Sequence, residues 1–242
     1  MRRFRADLHI HSCLSPCGDL DMSPRGIVRQ SLDVELEVIA VCDHNSAENV
    51  GAVMRAAAGS GLKVLAGMEV HSREEVHTLA IFDTEEQAMA MQAVVYEHLR
   101  GTNRPDIFGD QVVANERDEV EGFNDRLLIG ATTLRLEEIV ALVHHLGGLS
   151  VASHVDRPSY SVTSQLGFVP ADLGVDALEY AGEEIWDAPR EDGSRFPAVR
   201  FSDAHFPAQI GQRFTVFLME SASVEEIRKA LRGEGGRSVV TS

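Results

Sequence analysis

The chain has 242 residues, which fits one large α/β domain or two small ones, and its hydrophobic content of 44% is ordinary for a globular protein with a sizeable core. A formal net charge of −16 argues against long nucleic acid as the main partner, because duplex binders carry a basic face. No apolar run approaches the roughly 20 residues that span a bilayer, so no membrane partner is expected.

The chain opens on Met1-Arg2-Arg3-Phe4-Arg5, basic but without the apolar core of a signal peptide, which makes cytoplasmic residence the expectation. Arg5–Ile10 reads as a first strand carrying Asp7-Leu8-His9-Ile10-His11. Residues two apart on a strand share a face, so both imidazoles would converge on one spot, an arrangement that suits a divalent transition metal. The loop Ser12–Met22 holds Cys13, Cys17, Asp19 and Asp21. Cys13 and Cys17 read either as a metal or redox pair or, as a loop near a site favours, as small half-buried thiols. Three cysteines in all cannot pair completely within the chain, which also fits a reducing compartment. Asp19 is open between a turn residue and a ligand, with Asp21 its rival for either role.

Ser23-Pro24 starts a helix to about Leu32, with a hydroxyl cap and proline where its missing N–H costs nothing. Glu37–Cys42 is a buried strand of the parallel type, ending at Asp43-His44. An alanine-rich helix, Ala47–Ala58, stops at Gly59-Ser60-Gly61. Strands Leu62–Met68 and Val76–Phe82 follow, the first running into Glu69 and His71, the second with His77 near its start. Thr84 and Gln87 form a capping box for a helix to about Leu99. The irregular stretch 102–130 contains a hairpin of Gln111–Asn115 and Val120–Phe123 and reads as an excursion from one domain rather than a second one. Helix Leu136–Leu146 leads to strand Leu149–Ala152 and Ser153-His154. Strands Val175–Tyr180, Ala198–Phe201 and Phe214–Met219 come next, the second ending at Ser202-Asp203-Ala204-His205. Ser223 and Glu226 propose a second capping box for a helix to about Arg232, before a last strand Arg237–Thr241.

Alternating strands and helices point to a parallel sheet closed or nearly closed into a barrel, in a single α/β domain over residues 1–242. His9, His11, Asp43, His44, Glu69, His154, Asp203 and His205 all fall at the C-terminal ends of these strands, the rim on which such barrels build active sites. Taken singly, each is as readily a satisfied structural residue. The set on one rim reads as a metal site. His77 alone reads as packing material, His71 follows Glu69 at i+2 and can face the site, and His98, His144 and His145 read as surface or packing residues. Asp43, beside His44, is expected to orient a ligand imidazole rather than to bind metal itself.

The motifs D-L-H-I-H-S, V-C-D-H-N, G-M-E, S-H-V-D-R-P-S and S-D-A-H occur in this order between about residues 5 and 210. They resemble those of the PHP family, the metal-dependent phosphoesterase domain named for polymerases and histidinol phosphatases. The resemblance implies a distorted (β/α)7 barrel with a site for two or three divalent ions of manganese, zinc or iron. One ion would take His9, His11, Glu69 and Asp203; Glu69 would bridge to a second held by His77 and His154; a third would take Asp19, His44 and His205. Many family members carry histidine where Asp19 stands. The amidohydrolase barrel also opens with H-x-H, but Glu69 and the His205 after Asp203 fit PHP better.

The implied activity is hydrolysis of phosphoesters, either small phosphomonoesters or nucleotide-like substrates. Clustered ions lower the pKa of a bridging water and stabilise charge on phosphoryl oxygens, and they reverse the local field, so the acidic total does not exclude a small anionic substrate. Arg157, three residues after His154, is the candidate clamp for a phosphate oxygen. Two alternatives stand beside this. An exonuclease on short oligonucleotides needs a basic or aromatic groove that composition does not show. A non-catalytic regulatory module tends to lose ligands, and this chain keeps them all.

Overall fold

The computed structural model describes residues 1–186 and 188–240. The first half runs β1 (Arg2–Ile10), α1 (Pro24–Asp33), β2 (Val38–Val41), α2 (Val50–Ala56), β3 (Lys63–His71), β4 (His77–Phe82) and α3 (Glu85–His98). A short helix α4 (Pro105–Phe108) and the hairpin β5 (Val112–Ala114) and β6 (Val120–Phe123) fill the irregular stretch. The second half is α5 (Leu136–His145), β7 (Leu149–Ala152), α6 (Val162–Leu166), β8 (Ala177–Glu179), β9 (Ala198–Val199), β10 (Thr215–Met219), α7 (Val224–Arg232) and β11 (Ser238–Val240). Helices α4 and α6 fall in stretches read as loop, and Thr241, the expected end of the last strand, lies outside the described residues. No helix among the described residues is long and apolar enough to cross a membrane.

The expected parallel seven-unit barrel gives way to a nine-stranded mixed sheet in the order β11-β10-β1-β2-β3-β4-β7-β8-β9. Four of its pairings are antiparallel: β3 with β4, β4 with β7, β1 with β10 and β10 with β11. The link between β3 and β4 explains the first of these. Residues 72–76 are too few for a crossover, and Glu75 turns the chain at φ +61°. The reversal has a useful consequence: the first residue of β4, His77, pairs with the last residue of β3, His71, so both lie at the same rim. The sheet curls back on itself there, bringing the segment after its last strand, β9, against the interior strand β1. Beyond β9 the chain reaches β1, where Ala204 pairs with Ile10, the His11 N–H donates to the Ala204 carbonyl at 2.9 Å, and the Ser202 N–H donates to Asp7 at 2.9 Å.

Alternation along the strands sorts side chains into two cores. Ile39, Val41, Val64, Ala66 and Met68 face the helices α1, α2, α3 and α5 on the convex side. Leu8, Ala40, Leu65, Leu79, Ile81, Val151 and Ala177 fill the concave side, together with Val224 and Ile227 of α7. That helix covers the end of the concave core remote from the rim: Arg228 donates to the Gly148 carbonyl, before β7, and the Val224 N–H to Asp83, after β4. Its Ser223 accepts the Glu226 N–H as expected, but the second half of the capping box does not form. The Glu226 carboxylate instead accepts the Glu220 N–H at 2.9 Å and pairs with Arg237 at 3.0 Å. At Thr84 and Gln87 both halves are present.

A β-bulge sets the first histidine. Asp7 pairs with Ile39 and Ile10 with Val41, so Leu8 and His9 together oppose the single residue Ala40. Leu8 packs in the concave core, His9 follows on the same side, and Ile10 turns to the convex core. The bulge thus lets an apolar core position precede two ligand-type positions on one face. On β3, the parity of Leu65 carries Gly67, Glu69 and His71 to the concave side, and on β4 the parity of Leu79 does the same for His77.

Gly67 is the tightest point beneath this rim. A Cβ there would lie 2.7 Å from Cys42 Sγ, 3.0 Å from the Ala80 carbonyl and 3.1 Å from the Val41 carbonyl. Gly67→Ala is expected to cost about 1–3 kcal/mol in urea unfolding, the usual range for overpacking a filled core. An unchanged midpoint would show that the sheet has slack here.

Candidate metal centre

Eight of the nine ligand-type residues named from the sequence meet at the rim, around Glu69. This carboxylate is 1% exposed. Its Oε1 lies 3.4 Å from His9 Nε2, 3.2 Å from His77 Nδ1 and 3.2 Å from His154 Nε2. Its Oε2 lies 3.1 Å from His44 Nδ1 and 3.6 Å from His11 Nε2. Asp203 Oδ1 stands 3.3 Å from His9 Nε2, 3.2 Å from His11 Nε2 and 3.6 Å from His205 Nδ1. Three groups bring their donor atoms within 4.8 Å of one another: His9, His11 and Glu69; His44, Glu69 and His77; and His11, His44 and His205.

The surroundings settle which nitrogen several rings present. His9 Nδ1 donates to both oxygens of Glu179 at 3.0 Å, leaving Nε2 for the centre. His11 Nδ1 donates to Ser15 Oγ at 2.9 Å, and Ser15 in turn donates to Asp43 at 2.6 Å. His205 Nδ1 donates to the Asp203 carbonyl at 2.9 Å. Outer partners of this kind fix the tautomer and raise the basicity of a ligating imidazole. Asp43 therefore reaches His11 through Ser15, whose hydroxyl also accepts the His44 N–H at 3.2 Å.

Glu179 went unnoticed in the sequence although it ends a strand, as the other site residues do. It also accepts the His154 N–H at 3.0 Å, where His154 sits at φ +31°. Asp203 takes φ +51°, the left-handed region that residues with side chains rarely occupy. Each is turned back toward the centre at a strained backbone position.

Asp19 stands apart. Its carboxylate accepts the Asp21 N–H at 2.8 Å, a local turn, while its own N–H donates to the His205 carbonyl at 2.8 Å. His71 donates through Nδ1 to the Ile129 carbonyl at 3.2 Å and packs edge-on to His77. Outside the rim, His98 bonds Thr133 and His144 pairs with Asp176, as surface and packing roles require. Cys13 packs against Val112 and Ala114, while Cys17 is exposed on its loop.

The electrostatics are those of a charge cluster out of water. Burial opposes ionisation of Glu69, yet His77 and His9 hold it well below the usual carboxylate range. Asp203 is held low in the same way by His9 and His11 against burial. Four buried atoms, His44 Nδ1, Glu69 Oε1, His77 Nδ1 and Asp203 Oδ1, make no hydrogen bond. Each such atom ordinarily costs about 1–3 kcal/mol, so four in one cluster form a donor set suited to cations. The spacing agrees: two ligands roughly 2.1 Å from a tetrahedral ion stand about 3.4 Å apart.

A cavity of about 160 Å³ opens beside this cluster, lined by His44, Glu69, His77, Ile129, His154, Arg157, Ser159, Tyr160, Asp203 and His205. Tyr160 stacks on the His77 ring at 4.9 Å, and Arg157 bonds Asp203 Oδ2 at 2.6 Å. Asn45 donates to the Leu128 and Gly130 carbonyls, which pins the excursion so that Ile129 forms one wall.

The PHP domain family model matches residues 7–167. The chain belongs to the PHP family. A second model, of the PHP-associated type, matches residues 195–234, the part that carries Asp203 and His205 to the rim. No curated protein matches the sequence. Among solved structures, the lesion-specific endonuclease Q of Pyrococcus furiosus aligns over 98% of this PHP chain with a TM-score of 0.72 and 23% identity. A complex of endonuclease Q with a 27-mer duplex bearing an abasic lesion at the active site aligns with a TM-score of 0.66 and 22% identity, again over 98% of this chain. This chain spans 58% of the length of each. A candidate metal-dependent phosphoesterase of Bifidobacterium adolescentis aligns over 95% of this chain and 96% of its own, with a TM-score of 0.57 and 17% identity. At these identities the likeness is one of fold.

Glu179 offers a direct check of the outer layer. Glu179→Gln keeps the shape and removes the charge that orients His9, so metal affinity is expected to fall about 10–100-fold in a competition titration against a chelator. Unchanged affinity would mean that His9 is not oriented by Glu179.

Proposed function

We propose that this chain is a metal-dependent phosphoesterase, a single domain over residues 1–242, holding two or three divalent ions among His9, His11, His44, Glu69, His77, His154, Asp203 and His205. The reading rests on one observation above others: four imidazoles lie within 3.4 Å of the single buried carboxylate Glu69. The two oxygens of Glu69 serve different partners, His9, His77 and His154 on one side and His11 and His44 on the other, which suits a carboxylate shared between ions. Divalent ions held there lower the pKa of a bound water and offset charge on the phosphoryl oxygens.

The protein's own part is to bind and orient. Arg157 is half-exposed at the cavity mouth, with one guanidinium nitrogen on Asp203 and the rest of its fork free to meet a phosphoryl oxygen. At about 160 Å³ the cavity takes the phosphoryl group and little more, so the remainder of a substrate lies outside it. Arg157→Ala is expected to lower kcat/KM by roughly 10–100-fold, the worth of a hydrogen bond to a charged group, with metal content unchanged. Lost metal in that variant would place Arg157 in the support of Asp203 instead.

Small phosphomonoesters or nucleotide-like esters are the first reading, in keeping with the net charge of −16. The second reading is a phosphodiester of DNA. It is favoured by the fold shared with endonuclease Q and weakens the expectation that long nucleic acid is excluded. A panel of phosphomonoesters, nucleotides, short oligonucleotides and an abasic duplex, assayed with added manganese and after chelation, separates the two. Chelator-sensitive phosphate release from monoesters supports the first, strand cleavage without monoester turnover supports the second, and metal-bound protein inactive on the whole panel would contradict both.

A further inference from the structure

The lining of the metal cavity is charged or polar except at Ile129 and Tyr160, its two apolar walls. Tyr160 stands there at a backbone cost. Its φ is +55°, in the left-handed region that a bulky residue rarely occupies. The loop holds it in place from both sides. The Tyr160 carbonyl accepts the His77 N–H at 2.9 Å, and Ser161 Oγ donates to the Arg157 carbonyl at 2.7 Å. Glycine would take this conformation freely, so the backbone gives no reason for a tyrosine. The reason lies in where the ring is put.

One face of that ring is used up. It stacks on His77 with centroids 4.9 Å apart and planes within 8°. His71 stands nearly perpendicular to both rings, 5.3 Å from Tyr160 and 4.7 Å from His77. A ring on the outer face of Tyr160 would lie about twice as far from His77 as the stacked pair lies apart. His71 therefore sits beside the stack, and its Nδ1 donates to the Ile129 carbonyl at 3.2 Å, which joins the two apolar walls. Tyr160 is nonetheless 45% exposed, so its outer face is open at the cavity mouth. Because the cavity of about 160 Å³ takes little beyond a phosphoryl group, the rest of a substrate must leave past these walls.

We propose that Tyr160 is a specificity-determining residue, a platform on which a flat ring carried by the scissile phosphate stacks. The inference rests on the phosphoesterase reading above and narrows its substrate class to phosphoesters of nucleosides, over those of flexible alcohols such as glycerol. Every nucleobase has a π face, and stacking on an aromatic side chain holds it without a hydrogen-bond code. Arg157 and Tyr160 are three positions apart on one loop, so that loop would engage both ends of a nucleotide, the phosphate with a guanidinium and the base with a ring.

The test uses phosphonate analogues of adenosine monophosphate and of glycerol phosphate, in which a methylene replaces the ester oxygen. Each is titrated calorimetrically into manganese-loaded protein, and the ratio of the two affinities is the readout. Both analogues offer the same phosphonate to the same ions, so a loss of metal lowers both affinities and leaves their ratio alone. The wild-type protein is expected to favour the nucleoside analogue by roughly 5–150-fold, the worth of one base stacked on an aromatic ring. Tyr160→Gly, which suits the left-handed backbone, is expected to bring the ratio close to one, and Tyr160→Phe to preserve it. A wild-type ratio near one, or a preference that survives Tyr160→Gly, would overturn the platform and leave the phosphoesterase reading standing. Loaded protein that binds neither analogue would overturn that reading and the platform together.

Discussion

Glu69→Gln is expected to remove at least one bound ion per chain and to lower turnover by at least about a hundredfold. The lower bound comes from the cost of losing a mere supporting group outside the ligand set, about 10–100-fold, whereas Glu69 is the hub itself. The amide matches the carboxylate in shape, so the concave core beneath it, Leu65 and Leu79, has no reason to repack. What changes is charge and donor count. One end of the side chain becomes an N–H₂ group facing imidazoles that approach within 3.1–3.4 Å. A group that donates cannot share an ion with a second donor set, so the link between the partners of the two oxygens, His9, His77 and His154 on one and His11 and His44 on the other, is cut. Metal analysis and phosphate release on one purified sample, with circular dichroism to confirm the fold, make the check. Wild-type metal content and turnover in this variant would remove Glu69 from the centre.

The second large effect is on pH. In the metal-free protein, burial works against a proton on His9, but Glu179, Asp203 and Glu69 raise its affinity for one well above the ordinary histidine value. His44 is raised to about 10, again against burial, by Cys17 and Glu69. Both rings therefore hold protons at neutral pH, and a metal ion can take their lone pairs only by displacing them. Metal affinity should climb as pH rises from the ordinary histidine value of 6.5 toward about 10, roughly tenfold per pH unit for each proton displaced. Near pH 7 about two protons should leave per chain on loading. The sign for folding is the opposite. A raised histidine stabilises the metal-free fold fully below 6.5, and that contribution is lost as pH climbs through about 10. The carboxylates of Glu69 and Asp203, held low, stay ionised throughout and add nothing to the slope. Calorimetric titration in buffers of different ionisation enthalpy counts the protons. Binding without proton release, or affinity that falls as pH rises, would contradict the charge pattern derived for the centre.

The same charge pattern shows why much of the site could be read before the structure. H-x-H on a strand, a strand-end Asp-His pair and a strand-end Asp203 are local patterns legible in residue type and spacing, although the bulge on β1 and the left-handed turn at Asp203 decide where the side chains point. His77 needed more, because its place depends on β4 running against β3. The five-residue link at 72–76 contains that information, since it is too short for a parallel crossover, yet the alternation of strands and helices elsewhere masked it. Glu179 was overlooked for a different reason. It is one acidic residue in an apolar strand, and only the fold brings it to His9, 170 positions away. The bulge at Leu8 and His9 has no signature in residue type, being a matter of register between β1 and β2. Loop detail was the least legible. Asp19 takes its place from a loop whose turns at Ser15–Gly18 and Asp19–Asp21 sequence alone leaves open.

The most direct test of the central claim is turnover measured against metal occupancy on one preparation. Metal-free protein would be loaded stepwise with manganese or zinc, with bound ions per chain and hydrolysis of the best ester in the panel recorded at every step. Activity should be absent at zero occupancy, appear as the groups around Glu69 fill, and reach its plateau at two or three ions per chain. Turnover by the metal-free protein, or full loading with no turnover on any phosphoester, would contradict the account.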